Sequence, residues 1–292
     1  MSPSMKTSQP LWRSMLFVPA HRENFVGKAH EKLADAYILD LEDSVPATEK
    51  QIAREGIVAA AKSVSQKGAA AIVRINEGLD LAVQDLEACI NPAINGVIIP
   101  KVSSANQLQH LCQLIEELET KRDMEIGHTP VLAQIECVEG LANLDNIAQS
   151  SSRLIGMSLG TEDFATSAGM DPIPEGLLGP SQAIVFACRR ANILPFGFPA
   201  SIADYSDLDQ FKKTISFARK LGFVGALCIH PSQVPVLNKA FSPNDREIEQ
   251  AKAMIEAYEK GLSEGKGAVA FQGTMIEAPV VTRARQLLKR FS

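Results

Sequence analysis

Short apolar segments alternate with amphipathic, helix-like segments eight times along this chain, and no other feature constrains its fold as strongly. The apolar segments are rich in Val, Ile and Leu without clean alternation, which is typical of strands buried on both faces of a parallel sheet. Gly or Pro marks many of the junctions. The predicted strands span residues 14–18, 36–41, 70–75, 96–100, 130–135, 153–159, 194–198 and 225–229.

A predicted helix follows each predicted strand, so the pattern comprises eight β/α units. Eight such units close a barrel, whereas five or six favour an open, doubly wound sheet. We therefore predict an α/β fold, a (β/α)8 TIM barrel, over residues 11–241. The predicted helices span residues 22–34, a segment that begins near Ala47, and residues 79–90, 104–122, 140–149, 180–191, 207–221 and 232–240.

The chain continues beyond the eighth unit, and residues 242–292 are predicted to form a C-terminal helical extension. Residues 244–261 have acidic residues at the start and Lys260 at the end, which matches the helix dipole. A glycine-punctuated segment and a basic helix over 280–290 follow. An extension of this kind needs a surface to pack on, so we expect it to contact the barrel or a neighbouring subunit of a homo-oligomer.

The composition argues against several classes of partner. A net charge of −5 and a pI near 5.6 disfavour broad binding to nucleic acid or to anionic membranes. No apolar run approaches the roughly 18 to 20 residues of a transmembrane helix, and Met1–Pro10 lacks the apolar core of a signal peptide. The five cysteines have no CxxC spacing, which favours free thiols. We predict a cytoplasmic protein.

Charged or polar residues follow nearly every predicted strand. All strands of a parallel α/β barrel point the same way, so these residues meet at one rim, where barrel enzymes place their active sites. We therefore predict an active site at this rim. The residues concerned are Asp40, Glu42, Asp43, Arg74, Lys101, Glu136, Glu162, Asp163 and His230.

Glu136 and Asp163 follow the fifth and sixth predicted strands, which are neighbours in a barrel. Two adjacent carboxylates repel each other unless a cation or a proton lies between them. The chain has no HExxH motif and no cysteine cluster, so zinc is not expected. Two carboxylates completed by water and substrate form a usual Mg²⁺ site. Solvated strand-end charges are the alternative interpretation.

Arg74 ends the third predicted strand, where a guanidinium suits a bidentate contact with a carboxylate or stabilisation of an enolate oxygen. A structural ion pair with the acidic cluster after the second strand is the alternative. Asp40, in that cluster, is a candidate for orienting water at a metal site or for capping the next helix. Lys101 is a candidate Schiff-base nucleophile, with an ion pair as the alternative.

Three further residues carry weaker signals. Arg22 and Lys28 flank the first predicted helix, where two cations suit a phosphate group, although amphipathic helices often carry such charges. His230 precedes the last barrel helix, where a hydrogen-bonded turn residue is the alternative to a binding role.

Eight short motifs occur in order along the chain. They begin at Arg13 (RSMLFVPA), Leu39 (LDLEDSV), Val73 (VRIN), Ile99 (IPK), Gln134 (QIE), Gly160 (GTEDF), Ile229 (IHPSQ) and Gly273 (GTMIEAP). Together they closely resemble the citrate lyase β-subunit-like (HpcH/HpaI aldolase) family of the phosphoenolpyruvate/pyruvate barrel superfamily. The resemblance implies a (β/α)8 barrel, a trimer or hexamer, Mg²⁺, and a thioester of CoA or of an acyl carrier as substrate.

The resemblance also implies roles for matching positions. Glu136 and Asp163 correspond to metal ligands, and Arg74 corresponds to the residue that binds the oxo-acid portion of the substrate. Asp40 matches an acid that supports the metal site without binding the metal. Phe17, Arg22 and Lys28 match positions that hold CoA, and Glu162 and His230 are further candidates for substrate or CoA binding.

One position departs from the family pattern. The family motif reads Met-Ile-Asp, and its aspartate, from a neighbouring subunit, is the acid/base, whereas this chain has Glu277. The longer side chain matters because proton transfer is sensitive to placement on the ångström scale. A carboxylate remains, so Glu277 is the candidate catalytic acid/base.

The resulting hypothesis is a Mg²⁺-dependent carbon–carbon lyase. It cleaves a 3-hydroxy-3-carboxyacyl-CoA, of the citramalyl-CoA or malyl-CoA type, by a retro-Claisen reaction to acetyl-CoA and a 2-oxo acid such as pyruvate or glyoxylate. Three alternatives stay open: a citryl-CoA lyase subunit that gives oxaloacetate, a metal-dependent pyruvate aldolase, and a non-catalytic CoA-binding protein.

Overall fold

The computed structural model describes residues 10–291. Eight parallel strands form one sheet, in which β1 to β7 pair in chain order and β8 pairs with β1. A parallel bridge between Phe196 and Gly225 joins β7 to the residue before β8, so the sheet closes. The predicted barrel is confirmed. Its strands are β1 (Ser14–Pro19), β2 (Ala36–Asp40), β3 (Ala70–Arg74), β4 (Gly96–Ile99), β5 (Val131–Ile135), β6 (Leu154–Leu159), β7 (Leu194–Phe196) and β8 (Ala226–Cys228).

Helices follow the strands, as the alternation predicts. Within residues 10–291, none is both long and apolar enough to cross a membrane. Of the polar segment Met1–Pro10, only Pro10 belongs to the described residues. The helices are α1 (Glu23–Ala29), α2 (Lys50–Val64), α3 (Leu79–Cys89), α4 (Ala105–Lys121), α5 (Val138–Ala142), α6 (Leu144–Ala148), α7 (Thr161–Ala168), α8 (Pro174–Ala191), α9 (Leu208–Leu221) and α10 (Gln233–Ala240).

Apolar side chains from the strands fill the barrel. Every residue of β2 and β5 is buried, as expected for strands covered on both faces. The polar strand ends therefore stand above a packed core rather than a channel. This core includes Trp12, Met15, Ile38, Ile72, Ile98, Leu132, Phe196 and Leu227, and Ile155 of β6 packs against it.

The seam between β8 and β1 depends on a glycine. A Cβ atom at Gly225 would stand 2.0 Å from the main-chain oxygen of Trp12. Beside it, the amide of Ala226 donates to the carbonyl oxygen of Arg13 at 3.1 Å. Only a residue without a side chain allows this approach, so Gly225 is required where the barrel closes.

The region after β6 differs from the prediction. Helix α7 is an additional helix of 8 residues, too short to produce a clear helical periodicity. Helix α8 begins at Pro174, not at residue 180, and contains Pro180 in its interior. Proline is common in the first turn of a helix, so Pro180 resembles a helix start in the sequence, although Pro174 occupies that position.

Residues from Lys239 onward form a second compact unit, distinct from the unit that ends at Asn238. Tyr258, Ile276 and Val281 form its small core. The predicted helices in this region are present as α11 and α12. The elements of this unit after α10 are α11 (Asp245–Ser263), β9 (Val269–Phe271), β10 (Thr274–Ile276) and α12 (Ala278–Phe291).

A β-hairpin in this second unit is absent from the prediction, which treats the segment only as glycine-punctuated. Strands β9 and β10 pair antiparallel. Gln272 and Gly273 connect them with positive φ angles of 48° and 81°, as in a two-residue type I′ turn.

Candidate active site

Arg74 and Asp40 form a buried ion pair at the carboxyl ends of β3 and β2. Arg74 Nε donates to Asp40 Oδ1 at 2.7 Å, and Nη2 donates to Oδ2 at 2.8 Å. Burial opposes ionisation of Asp40, but the contacts with Arg74 outweigh it, so the pKa of Asp40 lies below its ordinary value. The structure therefore contains the ion pair that the sequence left as an alternative for Arg74.

Glu42 lies at the centre of this cluster, although no pattern in the sequence predicts a role for it beyond its place at the rim. Its buried carboxylate accepts no hydrogen bond, but it lies 3.1 Å from Arg74 Nη1 and 3.4 Å from Lys101 Nζ. Burial, reinforced by the charges of Asp43 and Asp40 and only partly offset by Arg74 and Lys101, raises the pKa of Glu42 to about 7. Glu42 can therefore change protonation near neutral pH.

Lys101, which follows β4, bridges two acids. Its Nζ atom lies 3.4 Å from Glu42 Oε1 and 3.3 Å from Glu77 Oε2. Burial lowers the pKa of Lys101, but nearby carboxylates, Glu42 first, raise it above its ordinary value. A protonated amine is not a nucleophile. The structure thus favours the ion-pair interpretation of Lys101 over a Schiff base.

Glu136, which follows β5, is held in a buried position. Its Oε2 atom accepts a hydrogen bond from the main-chain amide of Lys101 at 2.8 Å, where the Lys101 backbone is left-handed, with φ of 48°. Its Oε1 atom lies against Gly160, where a Cβ atom would stand only 2.2 Å away. Burial, reinforced by the charge of Glu42, raises the pKa of Glu136 to about 8. A proton or a cation is needed to stabilise this carboxylate.

Asp163 lies in the first turn of α7, just after Gly160. Its negative charge contributes to the raised pKa of Glu136, so the two carboxylates are within electrostatic range of each other. Among residues 10–291, no group of three or more His, Cys, Asp or Glu side chains is arranged to hold a metal. Two carboxylates leave the other ligand positions of a Mg²⁺ ion to water and substrate.

Phe17 supports Arg74 from the face of the guanidinium group. The Arg74 Cζ atom lies 4.7 Å from the centre of the Phe17 ring, a cation–π distance. Arg22 and Lys28 lie before and within α1, and both are exposed to solvent. Of these three candidates for CoA binding, only Phe17 is thus placed in contact with the Arg74 cluster.

Glu162 and His230 have local partners at the rim. Glu162 accepts a hydrogen bond from Ser201 Oγ at 2.6 Å, which ties α7 to the loop after β7. His230 Nδ1 lies 2.7 Å from Ser232 Oγ, and the imidazole stacks on Tyr205 with ring centres 4.8 Å apart. His230 thus has the contacts of a turn residue, and it is also exposed.

Glu277 lies in the second compact unit, between β10 and α12. Its side chain is exposed, and its carbonyl oxygen accepts the amides of Val280 and Val281 at the start of α12. The catalytic role of Glu277 stays a prediction.

A cavity of about 970 Å³ opens at the opposite end of the barrel, beside Trp12, Asp35 and Ala70, which precede or begin strands. Its lining contains none of the candidate residues. The polar residues at the carboxyl ends of the strands, and not the size of this cavity, therefore identify the candidate site.

Comparisons with known proteins agree with the motifs. A model of the HpcH/HpaI aldolase/citrate lyase family matches residues 13–231. The citrate lyase subunit beta of Leuconostoc mesenteroides subsp. cremoris is 33% identical over 286 residues, which cover 97% of this chain and 94% of the relative. The L-malyl-CoA/beta-methylmalyl-CoA lyase of Rhodobacter capsulatus is 31% identical, with 98% of both chains covered.

A solved structure has a similar fold. It is the protein CitE from Mycobacterium tuberculosis in complex with magnesium, acetoacetate and coenzyme A. The TM-score is 0.76 at 29% sequence identity, and the match covers 95% of this chain and 97% of that one. The similarity therefore extends over nearly the whole length of both proteins.

Proposed function

The chain belongs to the HpcH/HpaI aldolase/citrate lyase family, and on that basis we propose that it is a Mg²⁺-dependent carbon–carbon lyase acting on CoA thioesters. The observation that carries the proposal is the buried carboxylate of Glu136, held beside Gly160 and within electrostatic range of Asp163. Relatives named citrate lyase subunit beta and malyl-CoA lyase, aligned over almost the full chain, support the same reaction class.

The residues present fit Mg²⁺. Glu136 and Asp163 supply carboxylate oxygens, the ligands that this ion prefers. Glu136, with its pKa of about 8, needs additional positive charge to stay ionised at neutral pH. When bound, Mg²⁺ supplies positive charge that acidifies a substrate hydroxyl and stabilises the carbonyl oxygen that develops from it.

The proposed reaction is a retro-Claisen cleavage of a 3-hydroxy-3-carboxyacyl-CoA. The hydroxyl group loses its proton, the C2–C3 bond breaks, and the carbonyl formed at C3 leaves as a 2-oxo acid. The electron pair of the broken bond stays on C2 as a thioester enolate, which takes up a proton and becomes acetyl-CoA. One proton is lost and one is gained, so no oxidant or second substrate is needed.

Arg74 is the residue that we assign to the negative charge of the substrate. Asp40 holds its Nε and Nη2 atoms, and Phe17 lies against its face. A cation held in this way needs no reorganisation as charge develops on an enolate or on the oxo acid. Asp40 thereby acts by orienting Arg74.

We assign proton transfer to Glu277, supplied by a neighbouring subunit of a homotrimer or hexamer. This assignment rests on the family motif and on the exposure of Glu277 in a separate compact unit. Arg22 and Lys28 are proposed to bind phosphate groups of CoA, and Phe17, Glu162 and His230 complete the proposed substrate-binding set.

Substrate preference depends on the remaining group at C3, which also carries the hydroxyl and the carboxylate: hydrogen in malyl-CoA, methyl in citramalyl-CoA and carboxymethyl in citryl-CoA. Discrimination between hydrogen and methyl in an apolar pocket is worth only about 1–3 kcal/mol. We propose citramalyl-CoA or malyl-CoA as the substrate of a free-standing enzyme, and citryl-CoA as the second candidate because several relatives are citrate lyase β subunits.

The experiment is incubation with malyl-, methylmalyl-, citramalyl- and citryl-CoA in the presence of Mg²⁺, with identification of the 2-oxo acid released. We expect cleavage that EDTA abolishes. Glu136→Gln and Asp163→Asn are expected to lower kcat/KM by at least about 100-fold, because several kcal/mol of charge stabilisation are lost. Glu139→Gln, at an exposed position of α5, is the matched control and should behave as wild type.

Each alternative predicts a different result. Cleavage of citryl-CoA alone indicates a citryl-CoA lyase, and activity on CoA-free 4-hydroxy-2-oxo acids indicates a pyruvate aldolase. Trapping by borohydride at Lys101, insensitive to EDTA, indicates a Schiff base. Binding of acetyl-CoA without any turnover indicates a non-catalytic protein. Near-normal turnover in both metal-site variants would rule out the metal assignment.

A further inference from the structure

The two oxygens of one buried carboxylate, that of Asp85, accept hydrogen bonds from two different parts of the fold. Asp85 on α3 has no exposed surface. Its Oδ1 atom accepts a hydrogen bond from Arg54 Nε, on α2, at 2.6 Å. Its Oδ2 atom accepts the main-chain amide of Asn76 at 2.6 Å and the Asn76 side-chain amide at 2.7 Å. One carboxylate thus connects a helix–helix contact to the loop that follows Arg74.

Asn76, the last residue of the Val73–Asn76 motif, extends this connection to a second loop. Its Nδ2 atom also donates to the carbonyl oxygen of Leu41 at 2.8 Å, and Lys50 Nζ donates to the same oxygen at 2.8 Å and to the Glu42 carbonyl oxygen at 3.0 Å. The loops after β2 and β3 are therefore joined at the main chain of Leu41.

Buried polar contacts of this kind are costly, the more so here because Arg54 Nη2 is buried without a hydrogen-bond partner, and apolar side chains can pack two helices equally well. Hydrogen bonds, unlike apolar contacts, also fix the orientation of the groups that they join. Here they are directed at the main chain of Leu41–Glu42, and the carboxylate of Glu42 lies 3.1 Å from Arg74 Nη1. The arrangement is suited to fixing the position of a side chain rather than to packing alone.

We propose that Asn76 is a positioning residue, which is anchored by Oδ2 of Asp85 and holds the Leu41–Glu42 segment so that Glu42 stays against Arg74 and Lys101. Asn76 does not itself contact these charged groups. The claim about catalysis rests on the proposed lyase function, whereas the claim about the loop does not.

The test compares two variants that act on opposite oxygens of Asp85. Asn76→Ala removes the side-chain contacts to Leu41 and to Oδ2. Arg54→Gln removes the contact to Oδ1 and leaves Asn76 in place, so it serves as the matched control for general loss of stability. Each purified variant is measured for kcat/KM, for Mg²⁺ affinity by calorimetry, and for hydrogen exchange of segment 41–49.

In Asn76→Ala we expect amide exchange in segment 41–49 to be about 10-fold faster, because the hydrogen bond from the Asn76 side chain to Leu41 is the one that reaches this segment. We expect kcat/KM to fall about 10- to 100-fold, because small displacements of charged groups are costly in catalysis. Mg²⁺ affinity should change less than kcat/KM, since Glu136 and Asp163 follow other strands and Glu42 acts on Glu136 through its charge. Arg54→Gln should lower the melting temperature while keeping wild-type exchange in this segment and wild-type kcat/KM.

Unchanged exchange in Asn76→Ala, or faster exchange with unchanged kcat/KM, would overturn the proposal. An equal loss of kcat/KM in Arg54→Gln would do the same, because it would show a general structural effect. Should Asn76→Ala fail to fold, Asn76→Ser, with its shorter polar side chain, is judged by the same criteria. If wild type cleaves no thioester of the panel, the proposed function fails, and the exchange measurement alone decides whether Asn76 holds the loop.

Discussion

At the scale of single residues, two buried carboxylates that are close in sequence have opposite pKa shifts. Asp40 accepts hydrogen bonds from Arg74 and from the amides of Glu42 and Ser44, and its pKa is lowered. Glu42 accepts none, and burial raises its pKa to about 7. Hydrogen bonds to the charged form, rather than burial as such, decide which of the two acids stays ionised.

This difference predicts how stability depends on pH. The pKa of Glu42 rises from an ordinary 4.5 to about 7 on folding, so its contribution to stability is present below the lower value and is lost as the pH rises through the higher one. We expect Glu42→Gln, which does not ionise, to lose less stability than wild type between about pH 5 and 8. Urea unfolding in EDTA, with Glu139→Gln as the control, measures this. A free-energy difference from wild type that does not change with pH would contradict it.

The close contact between Gly160 and the side chain of Glu136 predicts that a larger residue at position 160 weakens Mg²⁺ binding. An alanine Cβ would stand 2.2 Å from Glu136 Oε1, so Gly160→Ala must displace that carboxylate. We expect Mg²⁺ affinity to fall about 10- to 100-fold, as when a neighbour that orients a ligand is changed. Gly179→Ala on α8, where no atom lies within 4 Å of an added Cβ, should bind Mg²⁺ as wild type does. Equal calorimetric affinities for the two variants would argue against Glu136 as a ligand.

At the scale of elements, barrel closure depends on close approach of main chains. Gly225→Ala places a Cβ 2.0 Å from the Trp12 oxygen, and we expect a loss of about 2–3 kcal/mol, since backbone must move. Gly56→Ala, on the exposed side of α2 with open space around it, should instead gain about 0.5–1 kcal/mol from helix propensity. Denaturant unfolding distinguishes the two, and equal midpoints would refute the importance of the seam.

At the scale of the whole molecule, the proposed catalytic groups belong to two compact units. Arg74, Glu136 and Asp163 lie in the unit that ends at Asn238, and Glu277 lies in the other. If a neighbouring subunit supplies Glu277, co-expression of Glu136→Gln with Glu277→Gln should restore activity. When the two variants assemble at random into a ring, up to about a quarter of the sites combine an intact Glu136 from one subunit with an intact Glu277 from its neighbour. We therefore expect up to about a quarter of wild-type activity, because the interface between subunits is heterologous. Activity no higher than the sum of the two single variants would exclude sharing between subunits.

The order of the eight barrel strands was determined by the sequence alone. Runs such as Val131–Ile135, buried at every position, are local patterns, and parallel topology then brings Asp40, Arg74 and Glu136 to one rim. Local sequence patterns do not predict helices and strands that are very short. Helix α7, which carries Asp163, and the hairpin at Gln272–Gly273 are examples.

Only the tertiary structure decided the chemical state of the rim. Asp40 and Arg74 are 34 positions apart, and Glu136 and Lys101 are 35 apart, so no local pattern reports these contacts. The connection of Asp85 to Asn76 and Arg54 is equally hidden in the sequence. Hydrophobic periodicity is a property of neighbours along the chain, whereas burial and charge pairing depend on neighbours in space. The sequence therefore determined which side chains reach the rim, and the folded structure decided which of them are ionised, paired or held in place.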